Sequence, residues 1–151
     1  MNSNFGKIVL CLLMFTLLWG AAGPVSAERI KPFVSDGCSL FPDGTPDQPE
    51  LWLKCCVEHD RAYWQGGTRR QRMAADEELR QCVTAVGAPK VAALMKIGVL
   101  VGGGPYLPLP FRWGFGWPYP RGYGPLSAAE RRQVEERIAE EMEQETTPAD
   151  R

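Results

Sequence analysis

Cys55-Cys56-Val57-Glu58-His59-Asp60-Arg61-Ala62-Tyr63 contains the only histidine of the chain. Wound as a helix, this stretch covers about two and a half turns. Cys55 and His59 are four residues apart, as are Cys56 and Asp60, and His59 and Tyr63. Residues at that spacing share a helix face, so each pair projects in one direction. The cysteines are placed to pin the helix. A candidate general base, His59, and a candidate metal carboxylate, Asp60, are placed to face a common cleft. Any imidazole chemistry in this protein must run through His59.

Apolar and cysteine positions at helical spacing predict a helix over Leu51 to Trp64. Gly66-Gly67 breaks it, and Thr68 with Gln71 three residues on forms a capping-box start for a second helix. That helix is expected to run to about Val86 and stop at Gly87 and Pro89. Two helices joined by so short a link should lie antiparallel. Upstream, Glu28 to Glu50 reads as loop, rich in proline, glycine and aspartate. Lys90 to Val101 reads as a third, buried helix. Gly102 to Pro125 is rich in glycine, proline and aromatics, which excludes regular helix or central strand. Its aromatics are expected to plug the small core. The alternative reading is an aromatic platform at a lipid interface. Ser127 and Glu130 form a second capping box, opening a last helix to about Glu143 with Val134, Ile138 and Met142 as its apolar stripe. An acidic, disordered tail is expected after it.

The first 27 residues have the layout of a secretory signal peptide. A short polar head with Lys7 precedes an apolar run over Ile8 to Trp19, and Val25-Ser26-Ala27 follows as a cleavage site. The run is short of the ~20 residues that a membrane span needs. Cleavage near Ala27 would remove Cys11 and leave Cys38, Cys55, Cys56 and Cys82. An even number of cysteines in an exported chain points to two disulfides rather than to a zinc site using His59. Adjacent cysteines rarely pair with each other, which leaves two pairings open. Lys and Arg total 17 against 18 Asp and Glu, so no basic excess points to nucleic acid. The arginines at 61, 69, 70, 72 and 80 read mostly as a solvated helix face, with anionic lipid headgroups as the competing reading.

Asp76 precedes Cys82 by six residues on the second helix. If Cys55 pairs with Cys82, antiparallel packing brings Asp76 to His59 and Tyr63. A carboxylate there fixes the imidazole tautomer, and the Tyr63 hydroxyl is placed to hold the carboxylate. C-C-x-x-H-D-x-x-Y followed by D-x-x-x-x-x-C, with Asp36-Gly37-Cys38-Ser39 upstream, resembles the secreted phospholipase A2 superfamily, in its bacterial type. The resemblance covers Asp36 to Val83, about a third of the chain. It implies a mainly α fold of two disulfide-linked antiparallel helices with a calcium loop, within residues 28–126, to which the capped last helix read above adds an extra C-terminal helix in 127–151. It also implies disulfides Cys38–Cys56 and Cys55–Cys82. His59 would be the base that activates water against the sn-2 ester of a phospholipid, and Asp76 its partner. Asp60 would be the side-chain ligand to calcium, and Tyr63 a donor to Asp76. The chain departs from the family's glycine-rich loop, because Cys38 is followed by Ser39-Leu40-Phe41-Pro42-Asp43. Asp36 is then the first candidate for a further calcium side chain and Asp43 the second, with backbone oxygens near Gly37 and Ser39. The expected partner is a phospholipid membrane or micelle, met outside the cytoplasm in a secreted or periplasmic setting. No G-x-S-x-G turn is present for a serine mechanism. Two competing functions are a catalytically silent lipid- or protein-binding module on the same scaffold and a small envelope protein held by an uncleaved signal.

Overall fold

A computed structural model of the chain describes residues 29–146. The expected signal segment and the tail beyond Thr146 lie outside the described residues. Four helices are present and no strand, among those residues: α1 (Leu53–Gln65), α2 (Arg69–Ala85), α3 (Pro89–Gly102) and α4 (Ala128–Thr146). Two disulfides join Cys38 to Cys56 and Cys55 to Cys82.

Contacts along α1 and α2 fix their direction. Cys55, His59 and Tyr63 ascend α1, while their partners Cys82, Asp76 and Arg72 descend α2. The two helices are therefore antiparallel. The same ordering relates α2 to α3. Ala88 N–H bonds the Val83 carbonyl, Lys96 pairs with Glu77, and Arg72 reaches the Val99 and Leu100 carbonyls. Thus α2 is central, with α1 and α3 running against it.

Local chemistry explains the ends. Thr68 accepts from Gln71 N–H while Gln71 Oε1 accepts from Thr68 N–H, completing the predicted capping box of α2. Ser127 and Glu130 exchange the same two bonds at α4. Pro89 opens α3 at a position where its missing N–H costs nothing. α1 begins two residues later than expected. It has no side-chain cap, and Trp52 anchors its start by donating N–H to Asp43 O and Nε1–H to Pro42 O.

Three apolar clusters hold these pieces. Trp52, Cys55, Cys56, Leu79, Val83, Ala92 and Met95 fill the space between α1, α2 and α3. Ile30, Trp64, Trp117 and Val134 join the N-terminal loop, α1 and α4. Tyr63, Ala75 and Trp113 form the third, beside the site described below. Full burial of one large apolar side chain contributes about 1.5–3 kcal/mol, so Trp64, Trp113 and Trp117 matter most.

Residues 103–126 form no helix. Their backbone and indoles instead donate to carbonyls at and just beyond the C-terminal end of α1, where intrahelical partners run out. Gly114 N–H bonds Tyr63 O, Gly116 N–H bonds Trp64 O, and the Trp117 and Trp113 indoles donate to Gln65 O and Gly67 O. The aromatics divide. Trp113 and Trp117 plug the core as expected, while Tyr106 and Tyr119 stand exposed.

Two expectations require correction. α3 is not a buried helix: only Ala92 and Met95 are buried, and Leu94, Ile97 and Val101 face outward. The apolar stripe of α4 seats Val134 and Ile138, but Met142 is 63% exposed. At that end α4 is held by charge instead, through a bidentate Arg61–Glu141 pair at 2.7 and 2.9 Å.

Candidate active site

His59, Asp60 and Tyr63 are all buried on α1, and Arg72 and Asp76 are buried on the facing side of α2. The helical spacing set this up. Positions 59 and 63 lie one turn apart, as do 72 and 76. Asp76 is the hub, at 1% exposure. Its Oδ1 lies 3.1 Å from His59 Nε2 and accepts the Tyr63 hydroxyl at 2.6 Å. A carboxylate only accepts, so Nε2 carries the proton and Nδ1 presents the lone pair; the network assigns this tautomer. Among the described residues no hydrogen bond engages Nδ1. The imidazole also lies against the Tyr63 ring, with centroids 4.2 Å apart, and Trp113 meets that ring edge-on at 5.1 Å.

Asp76 Oδ2 is buried without a hydrogen-bond partner. Its charge is balanced by Arg72, whose Nε stands 3.7 Å away and donates at 3.0 Å to the Tyr63 hydroxyl. The remaining Arg72 donors go to the Tyr123 hydroxyl and to the last carbonyls of α3. Burial works against the Arg72 charge, but bonds to Tyr63 and Tyr123 outweigh it and hold the guanidinium above its ordinary range. Burial pushes the Tyr63 phenol up, and the Asp76 charge adds to this, so Tyr63 stays a donor across the working pH range.

Asp60 points to a different place, the loop before α1. The Ser35 hydroxyl donates to its Oδ2 at 2.6 Å and accepts Gly37 N–H at 3.1 Å. Burial raises the Asp60 carboxyl to about 6; Ser35 and His59 oppose the rise and Asp36 adds to it. The loop is sharply curved, with positive φ at Gly37 (77°) and Ser39 (54°). A side chain at Gly37 would overlap the Asp43 carboxylate, which accepts Cys38 N–H at 2.8 Å. Asp43 thus braces the loop backbone. Ser39 donates to Asp36 at 2.9 Å, and the Cys38–Cys56 disulfide ties the loop to α1 one turn before Asp60.

His59, Asp76 and Tyr63 therefore come together as one network. Asp60, Asp36, Gly37 and Ser39 gather at the adjoining loop. Sequence reasoning missed two residues. Arg72 read mostly as a solvated arginine and is instead 5% exposed inside the network. Its place four residues before Asp76 was the available signal. Ser35 carried no signal, since loop geometry alone brings it to Asp60.

Fold and site define a disulfide-stapled, mainly helical protein with a buried imidazole–carboxylate pair. No family model, curated protein or solved structure matches the chain.

Proposed function

We propose that the protein is a calcium-dependent, phospholipase A2-like hydrolase that cleaves the sn-2 ester of phospholipids with a water activated by His59. One observation carries this reading: Asp76 and Tyr63 hold the His59 ring with Nε2 protonated and Nδ1 uncommitted. A base so oriented can take a proton from water. Asp76 then stabilises the imidazolium that forms, and the Arg72 guanidinium stands 3.7 Å from its other oxygen. His59 returns the proton to the leaving alkoxide.

Asp60 on α1 and the loop before it supply hard oxygens of the kind calcium takes: the Asp60 and Asp36 carboxylates, the Ser35 and Ser39 hydroxyls and backbone carbonyls. The raised Asp60 carboxyl, with Asp36 in electrostatic reach, is a site where a cation offsets an unfavourable charge. Asp60 would hold the ion, with Asp36 and the backbone around Gly37 and Ser39 beside it. Bound calcium would polarise the ester carbonyl and stabilise the oxyanion. Exposed aliphatic residues support a lipid surface as partner: Val34 and Leu40 in the loop, Leu94, Ile97 and Val101 on α3, and Leu107. The disulfides support an oxidising, extracytoplasmic setting.

A catalytically silent lipid-binding module is the second reading. Among the described residues no group of three or more His, Cys, Asp or Glu is placed to hold a metal, which favours it. Vesicles carrying a labelled sn-2 chain separate the two. The hydrolase releases fatty acid only with calcium and fails as His59→Gln. Vesicle binding without release, equal in His59→Gln, supports the silent module.

A further inference from the structure

A cavity that the His59 network does not line opens between residues 108–119, the Lys31–Val34 stretch and Trp64. It measures about 410 Å³, within the ~300–1,000 Å³ usual for small-molecule sites. Trp64, Leu109, Pro110, Phe115 and Trp117 give it apolar walls, and neither His59, Asp60 nor Asp76 lines it. Arg112 also lines it, although it is only 4% exposed.

The environment of Arg112 is unusual. Its Nη1 donates to Trp113 O and Gly114 O, and its Nη2 to Trp117 O at 2.6 Å. The guanidinium also stands 5.4 Å from the Tyr119 ring centroid. Those carbonyls satisfy hydrogens but do not cancel the charge. Among the described residues no carboxylate pairs with Arg112, whereas the other deeply buried arginine, Arg72, has Asp76. Buried charges are normally paired, and burial lowers the Arg112 guanidinium accordingly. Three of its five N–H groups are engaged in this way, and the Nε–H and one Nη2–H make no hydrogen bond among the described residues, which leaves them for a ligand. Lys31 adds an exposed second cation to the lining and is in no ion pair among the described residues.

We propose that this cavity binds a carboxylate carried on an apolar body, of the medium-chain fatty acid kind, with the carboxylate at Arg112 and Lys31 and the chain against Trp64, Phe115 and Trp117. Concave shape, apolar walls and an uncompensated cation together select this chemistry. The inference is independent of the proposed hydrolysis, because no residue of the His59 network takes part.

Titration of the full chain with decanoate below its micellar concentration, read by calorimetry and tryptophan fluorescence, tests it. Saturable one-to-one binding is expected, tighter by about tenfold or more than that of decanol or decyltrimethylammonium. Removing Arg112 would strip three carbonyls of their donor and risks unfolding. Leu109→Glu places a negative charge in the wall instead and should weaken decanoate by about tenfold with the circular dichroism spectrum unchanged. His59→Gln should bind as wild type. No saturable binding, equal affinity for the cationic amphiphile, or loss in His59→Gln with retention in Leu109→Glu would each overturn the proposal.

Discussion

Replacing Tyr63 with Phe probes the network at its narrowest point. The hydroxyl makes two contacts: it donates to Asp76 Oδ1 at 2.6 Å and accepts Arg72 Nε–H at 3.0 Å. Loss of a hydrogen bond to a charged group costs about 1.5–3 kcal/mol, and an orphaned buried donor adds to that. Part of the loss is recovered. Arg72 Nε lies 3.7 Å from Asp76 Oδ2, an oxygen without a donor, and a shift of about 0.8 Å makes a direct charge-assisted bond. The net cost should be about 2 kcal/mol, or roughly 6–10 °C in Tm for a domain of this size. Guanidinium unfolding with the disulfides intact measures it, as a lower midpoint at unchanged slope. Tyr123→Phe is the internal control. It removes an Arg72 acceptor but no Asp76 donor, and should cost no more than about 1 kcal/mol. A Tyr63→Phe effect under about 0.5 kcal/mol, or one smaller than that of Tyr123→Phe, would refute the view that Tyr63 holds Asp76.

Three further outcomes are expected. A Cβ at Gly103 would overlap the Tyr63 hydroxyl and the Val99 carbonyl, so Gly103→Ala should destabilise by about 1–3 kcal/mol in the same assay and lower any hydrolytic rate. Removing the Cys38–Cys56 bridge as a paired alanine variant, which opens a sequence separation of 18, should cost about 3 kcal/mol in thermal or chemical unfolding. The Asp60 carboxyl is raised to about 6 in the folded protein, above its ordinary value of 3.8. The folded state therefore binds more protons between those values, so in calcium-free buffer this group makes stability fall as pH rises through that window. Asp60→Asn should flatten that dependence and raise Tm at pH 7; a wild-type profile in the variant would show that Asp60 is not the group responsible.

Much of the arrangement was legible because it depends on short-range rules. Spacing of four placed His59 with Tyr63, the Gly66-Gly67 break forced the turn, and Thr68/Gln71 and Ser127/Glu130 marked two helix starts. What escaped depends on long-range packing. Lys90 to Val101 is apolar nearly all round, which reads as buried, yet only one face meets α2. Residues 103–126 have no period to read. Their role as donors to the carbonyls of Tyr63, Trp64 and Gln65 follows from tertiary placement. Arg72 was hidden among arginines of the same type, and Ser35 meets Asp60 across 25 residues of loop and helix.

Release of a labelled sn-2 fatty acid from phospholipid vesicles, with and without calcium, measures the central claim most directly. The account predicts release by the wild-type chain only when calcium is present, and none from His59→Gln, Asp60→Asn or Asp76→Ala proteins that remain folded. Release that persists in folded His59→Gln, or that ignores calcium, would contradict it.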